Sequence, residues 1–106
     1  MAKNERMTND ERRQQLLDGA LRIIKRDGWD AVTRDAVATE CKVAVGTVNF
    51  AYGTIDALRD AVYQHAIDNH GDEDLLRVLA AGLVAGNDVA KSAPTNVKQA
   101  AFALMM

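Results

Sequence analysis

The stretch that decides the fold is TRDAVATECKVAVGTVNFAYGTIDAL, residues 33–58. Its apolar residues recur at helical spacing on both sides of a break at Lys42, which predicts one short helix over residues 33–41 and another over residues 45–52. Gly53 then predicts a turn into a longer helix. Helices this short are not stable alone, so the two must share a small core. The pattern is typical of a helix-turn-helix in an all-α fold.

The first of these helices has one apolar face. Val37, Ala38 and Cys41 are spaced i, i+1 and i+4, and Val43 and Val48 bring apolar groups to the same side after the turn. The second helix keeps a further set of residues largely outside this core: Ala44, Val45, Thr47, Asn49 and Phe50. An exposed helix of this kind fits the DNA major groove.

The stretch also resembles a known family. The residues that carry the resemblance are Thr33, Val37-Ala38, Cys41, Val43, Gly46-Thr47-Val48, Phe50, Tyr52, Gly53 and Leu58. In this order, and without a gap, they are similar to the DNA-binding domain of TetR-family bacterial transcriptional regulators, over residues from about 8 to 70. The resemblance implies a TetR-like helix-turn-helix that binds double-stranded DNA as a homodimer, as a transcriptional regulator.

The exposed face and the resemblance together predict the DNA-contacting residues. These are Thr33, Arg34, Lys42, Ala44, Val45, Thr47, Val48, Asn49 and Phe50. A carboxamide pairs bidentately with adenine, so Asn49 is the best candidate for direct base reading. Val45, Val48 or Phe50 would meet a thymine methyl group, and Thr47 a phosphate.

Some positions depart from the family pattern. Lys42 stands where the family usually has Gly, so a left-handed turn here would be strained by roughly 1 kcal/mol. Ala44 replaces a Ser that would cap the second helix, at a cost of about 1 kcal/mol. Asn49 and Phe50 replace Tyr and His, and Ile55 replaces a Lys that often touches phosphate. The fold tolerates these changes more easily than the list of DNA contacts does.

Residues 1–8 have the composition of an N-terminal arm, and a first helix is predicted from Thr8 to Asp27. Thr8 and Glu11 have the spacing of a capping box, and Gly28 follows as the C-cap. Residues 1–26 hold seven Lys and Arg (Lys3, Arg6, Arg12, Arg13, Arg22, Lys25, Arg26) against four acids (Glu5, Asp10, Glu11, Asp18), although the chain has a formal net charge of −2. Phosphate contacts and salt-dependent binding are therefore expected from the arm and first helix. The alternative is that these charges only solvate a helix face.

Three further helices are predicted after the helix-turn-helix. Thr54 would cap a helix over residues 55–69, a fifth helix would cover residues 72–90, and Thr95 would cap the last. The predicted domains are the arm with the DNA-binding domain, residues 1–70, and a short helical dimerisation segment, residues 71–106. The many apolar side chains at the end of the chain need a cover, and a second subunit would supply it.

The family normally adds a large inducer-binding domain after the DNA-binding domain. Only about 35 residues follow here, so the sequence predicts no small-molecule inducer. The small size of the chain would suit a regulator from a phage or other mobile element. The predicted function is a dimeric regulator, by default a repressor, acting on a palindromic operator. Two alternatives stay open: an accessory factor in partition, replication or recombination, or a protein-interaction module that has lost DNA binding.

Other classes of function find little support in the sequence. His65 and His70 are five positions apart, which is poor spacing for a metal site on a helix, and no nucleophile motif or phosphate loop is present. The sequence therefore predicts no enzyme, no cofactor and no metal. No apolar run is long enough for a membrane span or a signal peptide, which predicts a cytoplasmic protein. The single cysteine, Cys41, is expected to be a small buried residue.

Overall fold

The computed structural model describes residues 7–105, and every regular element in that range is a helix. The helices are α1 (Asn9–Asp27), α2 (Arg34–Cys41), α3 (Val45–Tyr52), α4 (Ile55–Asp68), α5 (Glu73–Val84), α6 (Asp88–Lys91) and α7 (Thr95–Ala103), with a 3₁₀ turn at Trp29–Ala31. The prediction of an all-α helix-turn-helix fold is confirmed. The chain forms two compact units, the first ending at Leu58 and the second beginning at Arg59.

Both ends of α1 are capped as the sequence predicts. The Thr8 hydroxyl accepts a hydrogen bond from the Glu11 amide (3.1 Å), and the Glu11 carboxylate accepts one from the Thr8 amide (2.8 Å). At the other end Gly28 has φ +96° and donates its amide to the carbonyls of Ile23 and Ile24. Most of the predicted arm, residues 1–6, lies outside the described residues.

The first unit is built around the apolar face of α1. This face packs against α2 and α3, and Ala38 lies in the core as expected. The fully or nearly fully buried side chains of the first unit are Leu16, Ala20, Ile23, Ile24, Val32, Val37, Ala38, Cys41, Val48, Ala51 and Leu58. Burying them stabilises three helices, two of which have only eight residues. The position of α3 therefore depends on α1 and α2.

The turn of the helix-turn-helix contains a strained lysine. Lys42 adopts the left-handed conformation, with φ 59° and ψ 44°. The Val43 amide closes the turn on the Ala38 carbonyl (2.9 Å), as in a Schellman motif. Side chains with a Cβ atom pay about 1–2 kcal/mol for this conformation, and glycine does not.

Lys42→Gly is therefore expected to raise the free energy of unfolding by about 1 kcal/mol. Chemical denaturation would measure this as a higher midpoint at an unchanged slope. Lys25→Gly is the matched control, because Lys25 lies within α1 at an exposed position. The control should lower stability by roughly 0.5–1 kcal/mol. A decrease for Lys42→Gly would contradict the strain argument.

The fifth helix is shorter than the sequence predicts. It was expected to reach residue 90, but α5 ends at Val84 and Gly86 takes a positive φ of 76°. The Asn87 side chain starts α6 by accepting from the Ala90 amide (3.0 Å), and its amide group donates to Asp60 (2.8 Å). The helix ends here in a Schellman motif: the Gly86 amide donates to the Leu83 carbonyl (3.1 Å), and the Asn87 amide donates to the Gly82 carbonyl (2.9 Å).

The start of the last helix also differs from the prediction. Thr95 is the first residue of α7 rather than its cap; Pro94 occupies the N-cap position and makes no side-chain capping bond. Proline suits the end of an extended segment because its φ is fixed. Three helices follow α4 in the described chain, where the sequence predicts two.

Candidate nucleic-acid interface

One end of α3 is fixed to α1 by a reciprocal pair of contacts. Arg13 Nε donates to the Ala51 carbonyl (2.6 Å), and the Tyr52 hydroxyl donates to the Arg13 carbonyl (2.9 Å). The Arg13 guanidinium also lies 5.5 Å from the centre of the Tyr52 ring, within cation–π range. Burial raises the pKa of Tyr52. Tyr52 therefore packs against α1.

The flank of α3 beside α2 carries a second contact. Arg34, the first residue of α2, donates from Nη1 to Oδ1 of Asn49 at 3.3 Å. Arg34 is exposed and Asn49 is half-buried. Two of the residues predicted to contact DNA are thus brought together from two helices.

The opposite flank of α3 borders an open groove of about 690 Å³. Gly46, Thr47 and Phe50 of α3 line one side of it. The N-terminal end of α1, with Met7, Thr8, Asn9 and Arg12, lines the other. Phe50 is 85% exposed, so its ring stands out from the helix. The groove therefore combines an arginine, a helix N-terminus and a large exposed aromatic ring.

Residues 16–62 match the family model of the bacterial regulatory proteins, tetR family. They cover α2, α3 and most of the helices on either side. These residues form a TetR-family domain.

The chain is also similar to a curated protein. The chain is 36% identical over 56 residues to the HTH-type nicotine-responsive transcriptional repressor HdnoR of Paenarthrobacter nicotinovorans. That match covers 53% of this chain and 29% of HdnoR, so the chain spans less than a third of this relative's length. No solved structure matches the chain significantly.

Within the TetR-family domain, the predicted contact residues fall into distinct places. Thr33 caps α2 by accepting from the Ala36 amide (3.1 Å). Lys42 and Ala44 are exposed in the turn, and Ala44 provides no side-chain cap for α3. Val45 and Thr47 are half-buried in the first turn of α3. The exposed arc of α3 therefore runs from the Arg34–Asn49 contact to the groove.

Val48 requires a correction. It is 1% exposed, and its side chain belongs to the core. Its core position was expected from the spacing, but a thymine contact from the same side chain is not compatible with that burial. The physical reason is the helical period: Val48 and Ala51 lie on the buried face, while Gly46 and Phe50 lie on the exposed face.

A cluster of charged residues joins α1 to α2. Arg22 and Arg26 form ion pairs with Glu40 at 2.9 and 3.0 Å. The hydrogen bond from Arg22 is the main cause that lowers the pKa of Glu40. Arg22 and Arg26, like Arg13, are therefore engaged by other residues of the domain. Arg12 lines the groove.

The groove was not predicted as a feature. The sequence indicated phosphate contacts from the first helix, but not that Thr8 and Asn9 would face Gly46 and Phe50. Only the crossing of α1 and α3 brings them together, and nothing in the local pattern specifies that crossing. An exposed aromatic at position 50 was the one available signal.

Across residues 7–105, no three His, Cys, Asp or Glu side chains are grouped in a way that would hold a metal ion. Within the same range, no helix has both the length and the apolar character needed to cross a bilayer.

Proposed function

We propose that the chain is a sequence-specific DNA-binding transcriptional regulator that acts as a repressor. The observation that carries the proposal is the exposed arc of α3, presented by a domain of the TetR family and flanked by Arg34 on one side and Arg12 on the other. The similarity to a transcriptional repressor over 56 residues supports the same function. Such a regulator would act in the cytoplasm, where the operator DNA lies.

The dimensions of α3 suit the major groove of DNA. An α-helix with its side chains is about 10–12 Å in diameter, and the major groove is about 12 Å wide. Asn49 would read adenine, and Val45 and Phe50 would meet thymine methyl groups. Thr47 and Lys42 would contact phosphates.

Residues on both sides of α3 would hold this helix against the phosphate backbone of DNA. Thr33 and Arg34 at the start of α2 are exposed, and so are Lys42 and Ala44 in the turn. On the other flank, the Arg12 guanidinium lines the groove and favours a negatively charged phosphate through its charge. Contacts of this kind fix the register of the protein on DNA, while the α3 side chains provide the sequence preference.

We place the homodimer contact in residues 72–106. Three large apolar side chains are exposed there: Val84 (70%), Phe102 (43%) and Met105 (48%). A two-fold dimer would present two copies of α3 to successive major grooves about 34 Å apart, on a palindromic operator. Occupation of a promoter by the dimer would exclude RNA polymerase.

The test is selection of binding sites from a random duplex pool at two salt concentrations. Wild type is expected to enrich an inverted repeat, with affinity falling steeply as salt rises because phosphate contacts release counterions. Asn49→Ala should lower affinity for the selected site about tenfold or more, since a good bidentate contact is worth about 1–3 kcal/mol. Gln14→Ala, an exposed carboxamide on α1, is the matched control and should bind as wild type.

The other outcomes separate the alternatives. Enrichment of a site that lies near origins or recombination sites, and not promoters, would favour an accessory factor. No enrichment at either salt concentration would overturn DNA binding by this chain and favour a protein-interaction module.

A further inference from the structure

The contact between Arg34 and Asn49 joins two elements with different expected roles. Arg34 begins α2 and would ordinarily be assigned to the phosphate backbone, whereas Asn49 lies in the middle of α3. Their side chains are 15 positions apart in sequence, and Nη1 of Arg34 lies 3.3 Å from Oδ1 of Asn49. Both belong to the first compact unit.

The chemistry of the two groups makes this contact directional. A guanidinium has only donors, whereas a carboxamide has an acceptor oxygen and a donor nitrogen at opposite ends. The contact therefore forms only when the oxygen of Asn49 faces Arg34. The rotated carboxamide would turn an NH₂ group toward five N–H donors and would be disfavoured. Arg34 thus selects one of the two orientations of the amide.

The selected orientation is compatible with reading adenine. Adenine presents the N7 acceptor and the N6 donor side by side, so the carboxamide must donate from nitrogen and accept at oxygen in a defined order. The Asn49 oxygen has two lone pairs, so one can accept from Arg34 while the other accepts from adenine N6. A carboxamide fixed before binding loses less conformational entropy when the contact forms.

We propose that Arg34 is a positioning residue that holds the Asn49 carboxamide in the orientation that reads adenine. This inference rests on the proposed function. The preference for adenine at one base pair of each half-site then depends on both residues. A role limited to phosphate contact would instead make Arg34 support all sequences equally.

The experiment compares the selected site with three variants changed at the base pair that Asn49→Ala no longer discriminates. Arg34→Ala is expected to reduce the preference for adenine at that pair at least threefold, while the preferences at other pairs stay as in wild type. Asn49→Ala should abolish the preference. The double variant should show the same preference as Asn49→Ala alone, because Arg34 acts through Asn49.

Lys42→Ala is the matched control. It removes another exposed cation, and should weaken binding to all four sites equally and reduce the salt slope by about one. Unchanged unfolding midpoints for the Arg34 and Asn49 variants would exclude a general loss of fold.

Two results would overturn the inference, and they are distinguishable. If Arg34→Ala behaves as Lys42→Ala does, with a uniform loss and intact adenine preference, Arg34 contacts phosphate and does not position Asn49. The proposed function would stand in that case. If wild type selects no duplex, the proposed function fails and the inference fails with it.

Discussion

Gly19→Ala is expected to lower the free energy of unfolding by about 1–2 kcal/mol, although alanine is the better helix former. A Cβ atom at this position in α1 would collide with Sγ of Cys41 in α2. The sulfur is buried and donates to the Gln15 carbonyl (3.4 Å), so it cannot move aside without losing packing and this contact. Overpacking of this kind costs about 1–3 kcal/mol, and the helix preference returns up to about 1 kcal/mol. Denaturant titration measures the difference.

Gly46→Ala is the matched control for Gly19→Ala. Gly46 is also helical, but no atom lies within 4 Å of a Cβ built there. This substitution should raise stability by about 0.5–1 kcal/mol. In a Cys41→Ala background, Gly19→Ala should also become stabilising, because the colliding sulfur is gone. Equal effects of Gly19→Ala in both backgrounds would show that Cys41 is not the cause.

Phe102→Glu is expected to convert a dimer into a monomer and to weaken binding to the full operator by at least a hundredfold. Phe102 is 43% exposed in α7, so a carboxylate there can reach water in the monomer but would oppose burial against a second copy. Loss of one of two linked recognition helices removes an avidity of about 10²–10⁴. Sedimentation equilibrium measures the mass, and titration of full and half operators measures the affinity.

Phe50→Ala provides the comparison for the dimer prediction. Phe50 is the exposed aromatic of the other unit, and its loss should leave the mass unchanged while it weakens DNA binding. A wild-type protein that is monomeric at the concentrations that bind DNA would contradict the dimer. If Phe102→Glu remained dimeric, the contact would have to lie elsewhere on the surface.

The fold of the first unit was predictable because its signals are local. The capping box at Thr8 and Glu11, the Gly28 cap and the spacing of Val37, Ala38 and Cys41 each act within a few residues. The left-handed residue at position 42 also followed from the ungapped family pattern. Such signals survive in a single sequence because helix ends and faces are determined by neighbours three or four positions apart.

The features that were not predicted depend on contacts across the chain. The side-chain hydrogen bond that holds Asn87 against Asp60 joins residues 27 positions apart. From the sequence alone, a glycine within a helix predicts only a lower helix preference. The need for glycine at position 19 follows from the position of Cys41 in the fold, because the Cys41 sulfur occupies the space of a Cβ atom there. The contact between Arg34 and Asn49 likewise needs the angle between α2 and α3. The pattern of residue types predicts which face of a helix is buried, but it does not predict the angle at which two helices cross.

The buried sulfur at the crossing of α1 and α2 also offers a built-in reporter of dynamics. Cys41 is the single cysteine of the chain, and burial raises the pKa of its thiol. A thiol reagent can reach it only when the two helices separate, so the labelling rate measures how often the domain opens. No introduced probe is needed, and unlabelled operator DNA can be added to the same reaction. Slower labelling with DNA would give the free energy by which the operator closes the domain.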